Sequence, residues 1–207
     1  SNRGTYTVDD DGELESIQST LRFFGFDMLS GDRATFFVDY NFDRLDEPFE
    51  IQPGIIITPG RHNWTTIGIF VRTDSSRPIS YFGFWTTGGF YDGHRLQGTN
   101  GLTIRANKHL SLETNWTYND VSLPAGEFTV NTLRQRVNIA MSPNLFWNTF
   151  VQYNDSQDIL SLNSRFNWIY RPGADLFLVY NQEWETGHGT LPADRAIILK
   201  FTYLFML

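Results

Sequence analysis

Cysteine is absent from this chain of 207 residues, which excludes disulfide bridges, thiolate nucleophiles and cysteine-ligated metals. A membrane-spanning helix is not expected either, because it would require a run of about 20 apolar residues. The longest apolar run, 196–207, is interrupted by Lys200 and Thr202. An excess of positive charge is also missing, since the net charge is −7 and the pI is about 5.0. Phosphate backbones bind basic surfaces, so nucleic acid is not an expected partner.

Short motifs of common enzyme chemistry are also missing. No Gly-x-Ser-x-Gly elbow occurs, and the glycine-rich stretch 88–93 lacks the Gly-Lys-Ser/Thr ending of a phosphate loop. The histidines are scattered without metal-ligand spacing, at His62, His94, His109 and His188. Glu113 and Glu183 are candidates for a pair of catalytic carboxylates, but neutralisation by nearby arginines is the favoured interpretation. We therefore predict a protein that is not an enzyme, with no catalytic residue, no cofactor and no metal site.

Alternation of apolar and polar residues is the dominant pattern that the sequence does contain. Phe166 and Trp168, for example, alternate with Asn167. Successive side chains of a β-strand point to opposite faces, so such a segment has one apolar face and one polar face. A soluble β-sandwich turns its apolar face inward, whereas a transmembrane barrel turns it towards lipid. The direction of the apolar face therefore decides the function.

The pattern predicts twelve β-strands joined by turns, and no helix. The predicted strands are 14–28, 33–44, 48–58, 62–73, 78–91, 95–106, 108–119, 127–141, 144–155, 159–171, 174–185 and 195–206. Their spacing of about 12–15 residues exceeds the roughly 8–12 typical of soluble sandwiches. Residues 1–13 are polar and are predicted to form a flexible N-terminal segment, followed by a single domain over 14–207.

Two details favour lipid over a packed core. Trp and Tyr recur near the ends of the apolar faces, where amphipathic rings lie at headgroup level in membrane barrels. The residues predicted to face lipid are Leu112, Trp116, Ile139, Trp147, Phe166, Trp168, Leu178, Tyr180, Phe201 and Tyr203. Long charged side chains occupy the opposite parity, as expected of a wet lumen. The residues predicted to line that lumen are Arg105, Glu113, Arg134, Arg136, Arg165, Glu183 and Lys200.

The sequence has one long motif at 163–181 and shorter ones at 49–51 with 59–60, 88–93, 123–128 and 152–154. Together these stretches resemble the DUF5916 family of bacterial proteins. The resemblance covers about residues 35–207 and concerns the C-terminal part of the family. It implies a β-rich region that looks like an outer-membrane barrel of Gram-negative bacteria. Family members usually also carry an N-terminal module similar to family 9 carbohydrate-binding domains, which this chain does not include. The resemblance implies no catalytic residues.

These observations predict an all-β fold, an antiparallel up-and-down β-barrel of about 10–12 strands that spans a membrane, or the C-terminal part of a larger barrel. The predicted function is an outer-membrane pore, transporter or anchor of a Gram-negative bacterium. The alternative is a soluble carbohydrate-binding β-sandwich or barrel without catalysis. Expected partners are a lipid bilayer or detergent, small polar solutes or carbohydrate, and the missing N-terminal part of a larger protein.

Overall fold

β-Strands make up 78% of the computed structural model, which describes residues 2–187 and 189–204. No helix that is long and apolar enough to cross a membrane occurs in these residues. The prediction of an all-β fold is therefore confirmed. The strong alternation of apolar and polar residues accounts for it, because that pattern fits a pleated strand and not a helix.

Fourteen strands lie in the described part of the chain. They are β1 (Asn2–Val8), β2 (Leu14–Asp27), β3 (Arg33–Leu45), β4 (Phe49–Gln52), β5 (Ile55–Ile57), β6 (Gly60–Arg72), β7 (Ile79–Phe90), β8 (Gly93–Asn107), β9 (Leu110–Leu123), β10 (Gly126–Ser142), β11 (Leu145–Asn154), β12 (Ile159–Arg171), β13 (Ala174–Glu185) and β14 (Leu191–Phe201).

Twelve of these strands form one antiparallel sheet in the order β1-β2-β3-β6-β7-β8-β9-β10-β11-β12-β13-β14. The predicted up-and-down order is confirmed, since successive strands of the sheet are also neighbours in it. The predicted closure is not observed: the twelve strands form an open sheet and not a closed barrel. Strands β1 and β14 each pair on one side only within the described residues, and this leaves two free edges.

The segment 48–58 differs from its prediction as one strand of the main sheet. It forms a separate two-stranded hairpin of β4 and β5. Pro53 and Gly54 explain the break: Gly54 has a φ of +81°, a left-handed conformation that favours glycine in a tight turn. The main sheet continues past the hairpin, because Leu45 at the end of β3 pairs directly with Gly60 at the start of β6.

Strand β1 lies in the N-terminal segment, where the sequence analysis placed no strand. It pairs with β2 in an antiparallel register from Asn2 opposite Leu21 to Val8 opposite Leu14. The acidic turn that follows is closed by the carboxylate of Asp9, which accepts the backbone N–H groups of Asp11 at 3.0 Å and Glu13 at 2.8 Å. The sequence does not predict this edge strand, because its residues are mostly polar and alternation is weak where both faces are exposed.

The chain divides into two compact units. The first contains residues 1–74, 82–99 and 117–130, and the second contains 75–81, 100–116 and 131–207. The first unit holds the hairpin and a small core of Ile57, Phe90, Val121 and Leu123, each at most 7% exposed. The second unit holds β11 to β14 and most of β10, where the two predicted faces can be compared residue by residue.

Candidate functional site: a sheet with one polar and one apolar face

The register of β10 to β14 gathers the predicted apolar residues on one face of the second unit. A single row runs across five strands from Ile139 to Trp147, Phe166, Leu178 and Leu199. Residues directly opposite each other in a sheet share a face, so this row is continuous. The adjacent row contains Trp168 opposite Leu176, which in turn pairs with Phe201.

The apolar face of the second unit is exposed. Phe201 is 64% exposed and Leu178 is 38% exposed. The other residues of this group that are classed as exposed are Trp116, Trp147, Trp168 and Tyr203, whereas Leu112, Ile139, Phe166 and Tyr180 are half-buried. Monomeric soluble proteins rarely expose a large contiguous apolar patch, so this face needs an apolar environment or a partner.

Aromatic residues bracket the apolar face at both ends of the strands. One end carries Trp147 and Trp168. The other end carries Tyr153 and Trp184, which flank Leu160 on the two neighbouring strands. Eight residues separate Trp168 from Leu160 along β12, which is a distance of about 27 Å for an extended strand. This length along the strand is comparable to the roughly 25 Å apolar band of membrane barrels.

The opposite face of the second unit carries charged and amide side chains interspersed with apolar ones such as Phe177 and Val179. Arg134 pairs in register with Gln152, and Arg136 with Phe150. Arg165 lies opposite Asn148, and Glu183 lies opposite Ser161 and Asp194. These positions share one parity, together with Lys200 opposite Phe177. Six of the seven residues predicted to line a lumen therefore lie on one face, because Glu113 joins them through an ion pair with Arg136 at 3.5 Å.

Arg105 is the seventh of these residues, and its guanidinium binds a turn. Its Nη1 donates to the backbone carbonyl of Ser75 at 2.9 Å and to that of Arg77 at 3.2 Å. Its backbone N–H also bonds the carbonyl of Pro78 at 2.6 Å. The side chain therefore holds the turn between β6 and β7, a role that strand parity does not reveal.

Amides and aromatic rings connect the arginines on the polar face. Arg136 lies over the ring of Phe150 at 5.7 Å, and Arg165 lies over that of Phe177 at 5.1 Å. The amide of Asn163 donates to the side-chain oxygen of Asn181 in the next strand. Arg136, Asn148, Phe150, Asn163 and Arg165 line a depression of about 300 Å³ between them. This face can offer hydrogen bonds and positive charge to a solute.

One face of the first unit buries polar as well as apolar side chains. Asp39 and Thr66 lie opposite each other and are 8% and 4% exposed. On the other face of the same strands, Ile67 is 59% exposed. The ring of Phe37, in the row next to Asp39, stacks on Phe84 at 5.4 Å and packs over Gly68. This face therefore buries polar groups among apolar side chains, whereas Ile67 is exposed on the other face.

The β4–β5 hairpin covers the polar face at one end of the first unit. Leu45 and Trp64, which pack against its core, share strand parity with Asp39 and Thr66. The hairpin residue that enters this core is Ile57, whose side chain is 2% exposed. The hairpin therefore shields part of that face from solvent.

A turn residue adds a polar contact below the hairpin. Tyr91, with a φ of +51°, donates its hydroxyl to Asp43 at 2.7 Å, and burial raises the pKa of this hydroxyl above its usual value. Its ring lies 4.7 Å from that of Trp64. Together these contacts hold the ring of Tyr91 against the last residues of β3 and the first residues of β6.

Arg44 ties the end of β3 to the first turn. Its guanidinium pairs with the carboxylates of Asp9 and Glu13, and it lies 3.2 Å from that of Asp46. The hydrogen bond from Arg44 holds the pKa of Asp9 below its usual 3.8. A carboxylate with a depressed pKa contributes stability above its ordinary pKa, and this contribution is lost as the pH falls through the lower folded value.

We expect Asp9→Asn to reduce the acid sensitivity of the fold. The variant should have a lower melting temperature than the parent at pH 7, and the gap should close as the pH falls below 3.8. Thermal unfolding of the variant and the parent at pH 7 and at a pH below 3.8 measures this difference in melting temperature. The exposed neighbour Asp10, replaced in the same way, is the control. An equal loss at pH 7 and at acid pH would contradict the ionic contribution of Asp9.

Three histidines lie against single hydrogen-bonding groups. The ring of His62 is 3.0 Å from the carbonyl of Thr58, and that of His109 is 2.6 Å from the carbonyl of Ala140. The ring of His94 lies near the hydroxyl of Thr87. The fourth, His188, lies outside the described residues, as does Phe205 at the end of the last predicted strand. Over 2–187 and 189–204, no group of three side chains is placed to hold a metal.

No model of a protein family matches the chain, and no curated protein matches it either. Membership of the DUF5916 family stays a prediction from the sequence stretches quoted above.

Proposed function

We propose that this chain is a non-catalytic outer-membrane β-barrel protein of a Gram-negative bacterium, serving as a pore or transport component with a polar lumen. Its likeness to the C-terminal region of the DUF5916 family is part of the same proposal. The observation that carries it is the apolar row from Ile139 to Leu199, exposed or half-buried along its length, set against a face with arginines, glutamates and asparagines. Lipid-facing apolar residues and lumen-facing polar residues alternate in this way in membrane barrels.

The aromatic residues support the same proposal. Trp147 and Trp168 at one end, and Tyr153 and Trp184 at the other, bracket the apolar face as a pair of girdles would. Indole N–H groups in such positions need a partner. That of Trp147 donates to Ser164 at 2.7 Å, so its ring meets lipid without an orphaned donor.

Closure of the barrel requires partners for the two free edges. We propose that β1 and β14 pair with each other in the bilayer, or with further strands of a larger barrel. Unpaired backbone N–H and C=O groups are not tolerated at a lipid-exposed edge. Pro192 in β14 lacks one donor, which fits a strand at the end of this sheet.

The mechanism of such a protein is physical. A lumen lined by Arg134, Arg136, Arg165 and Glu183 would select solutes by size and charge. In the first unit, the hairpin around Ile57 packs on the polar face and would set the narrowest point there. Glu113 and Arg136 neutralise each other in part, so the glutamate has a structural role in this proposal.

A soluble carbohydrate-binding sandwich is the competing function. It requires a second layer over the apolar face. In the described residues the only other sheet is the two-stranded hairpin, which packs in the first unit on the polar face. The two functions differ in their need for detergent: a membrane barrel stays in solution only with detergent, whereas a soluble sandwich does not need it.

The test is fractionation and reconstitution of the full chain expressed with an export signal. We expect it in the outer-membrane fraction, soluble only with detergent, and able to form discrete conductance steps in planar bilayers. Insertion without conductance would favour an anchor over a pore. A folded, monodisperse protein in detergent-free buffer would contradict the membrane proposal.

A further inference from the structure

The polar face of the second unit holds two arginines with little compensation by acidic groups. Arg165 makes no ion pair with any described carboxylate, and its guanidinium only contacts the ring of Phe177. Arg136 meets Glu113 in a single contact of 3.5 Å. A guanidinium has five N–H donors, so most donors of both side chains are available to a ligand.

These two side chains bound one depression. Arg136 and Arg165 line it together with the amides of Asn148 and Asn163 and the ring of Phe150, over about 300 Å³. The phenyl ring supplies an apolar floor, and the amides supply neutral hydrogen bonds. Arginine pairs with carboxylate or phosphate oxygens through two parallel N–H donors, which gives geometric selectivity as well as attraction.

Acidic residues lie on the far side of the Asn163–Asn181 bond. Glu183 and Asp194 pair in register and line a neighbouring depression of about 290 Å³ that shares Phe150 and Asn163 with the first. Positive and negative groups are thus separated across the strands of one polar face. An anion in the first depression would be repelled from the second, which fixes its position between the arginines.

From this arrangement we propose that Arg136 and Arg165 form a binding site for the oxyanion group of a small polar solute, a carboxylate or a phosphate. The proposal rests on the proposed function, because the solute would reach this face through the lumen. Asn148 and Asn163 would hydrogen-bond the rest of the solute, and Phe150 would pack against its carbon skeleton.

Calorimetric titration of the detergent-solubilised full chain tests the site directly. Succinate and inorganic phosphate are the two anionic probes, and glycerol is the neutral one. We expect at least one anion to bind, and R136Q and R165Q each to weaken it about tenfold to a hundredfold, as for the loss of a charged hydrogen-bond partner. R136K with R165K should restore part of the affinity. R134Q, on the same face of β10 but outside the depression, should weaken binding less than R136Q or R165Q does.

Reversal potentials in planar bilayers give the second readout. The double variant R136Q/R165Q should shift the pore towards cation selectivity, and R134Q should shift it less. Pores that form normally, bind neither anion and keep their selectivity in the double variant would overturn the site while leaving the proposed function intact. Failure of the parent chain to enter membranes would overturn the proposed function itself. Unchanged strand content by circular dichroism excludes misfolding of each variant.

Discussion

Replacing Leu178 with arginine is expected to destabilise the folded protein in a lipid bilayer by about 1–3 kcal/mol, between the roughly 2–4 kcal/mol that arginine costs at the midplane of a barrel's lipid face and the roughly 0–1 kcal/mol that it costs near the interfaces. Leu178 lies in the middle of the apolar row, between Phe166 and Leu199. It is 38% exposed, so in water the same change would alter stability by only about 0.5 kcal/mol. Urea unfolding in lipid vesicles, followed by tryptophan fluorescence, measures the difference.

The matched control adds the same charge to the opposite face. Ser161 is half-buried on β12 and lies opposite Glu183, so Ser161→Arg places the new guanidinium beside a carboxylate. Its effect on the free energy of unfolding should be small. Equal costs at positions 161 and 178 would mean that the two faces meet the same solvent, and the membrane orientation would then be wrong.

Release of the β4–β5 hairpin is the second large effect we expect. Ile57 is almost completely buried among Phe90, Val121 and Leu123. A carboxylate in that position has no partner, and its burial costs roughly several kcal/mol, so Ile57→Asp should detach the hairpin from the polar face. In a planar bilayer, single-channel conductance should rise as the lumen widens.

The neighbouring residue provides the control for the hairpin. Ile56 is 48% exposed in the same strand, and Ile56→Asp should leave the conductance unchanged. A second variant removes 46–59 and joins Leu45 to Gly60 by a short turn, which is feasible because these two residues already pair. If neither the point variant nor the excision raises the conductance, the hairpin does not restrict the lumen.

The sequence predicts the strands and faces of the second unit well, because the alternation there is strong. Phe166 and Trp168 share a face, and Arg165 lies on the other, as the parity of β12 indicates. Register between strands follows from the same physics, since a slip of one residue would move every apolar side chain to the wrong face.

The remaining features depend on contacts that parity does not encode. The segment around Ile57 is apolar enough for a strand of the main sheet, but it turns at Pro53 and Gly54 and packs against residues more than thirty positions away. Arg105 has the spacing of a face residue and yet bonds a turn. The burial of Asp39 is not predicted either, because a lone aspartate in an alternating segment does not indicate how far its side chain is buried.

The strand order also has a consequence for how the protein folds. Nearly every strand pairs with the one that follows it in sequence, so each new strand can add to an existing edge at the small entropic cost of closing a short loop. The exception is the step from β3 to β6, where 46–59 must loop out before the thirteen pairs of that ladder can form. Assembly is therefore expected to proceed hairpin by hairpin, with its slowest step at this junction.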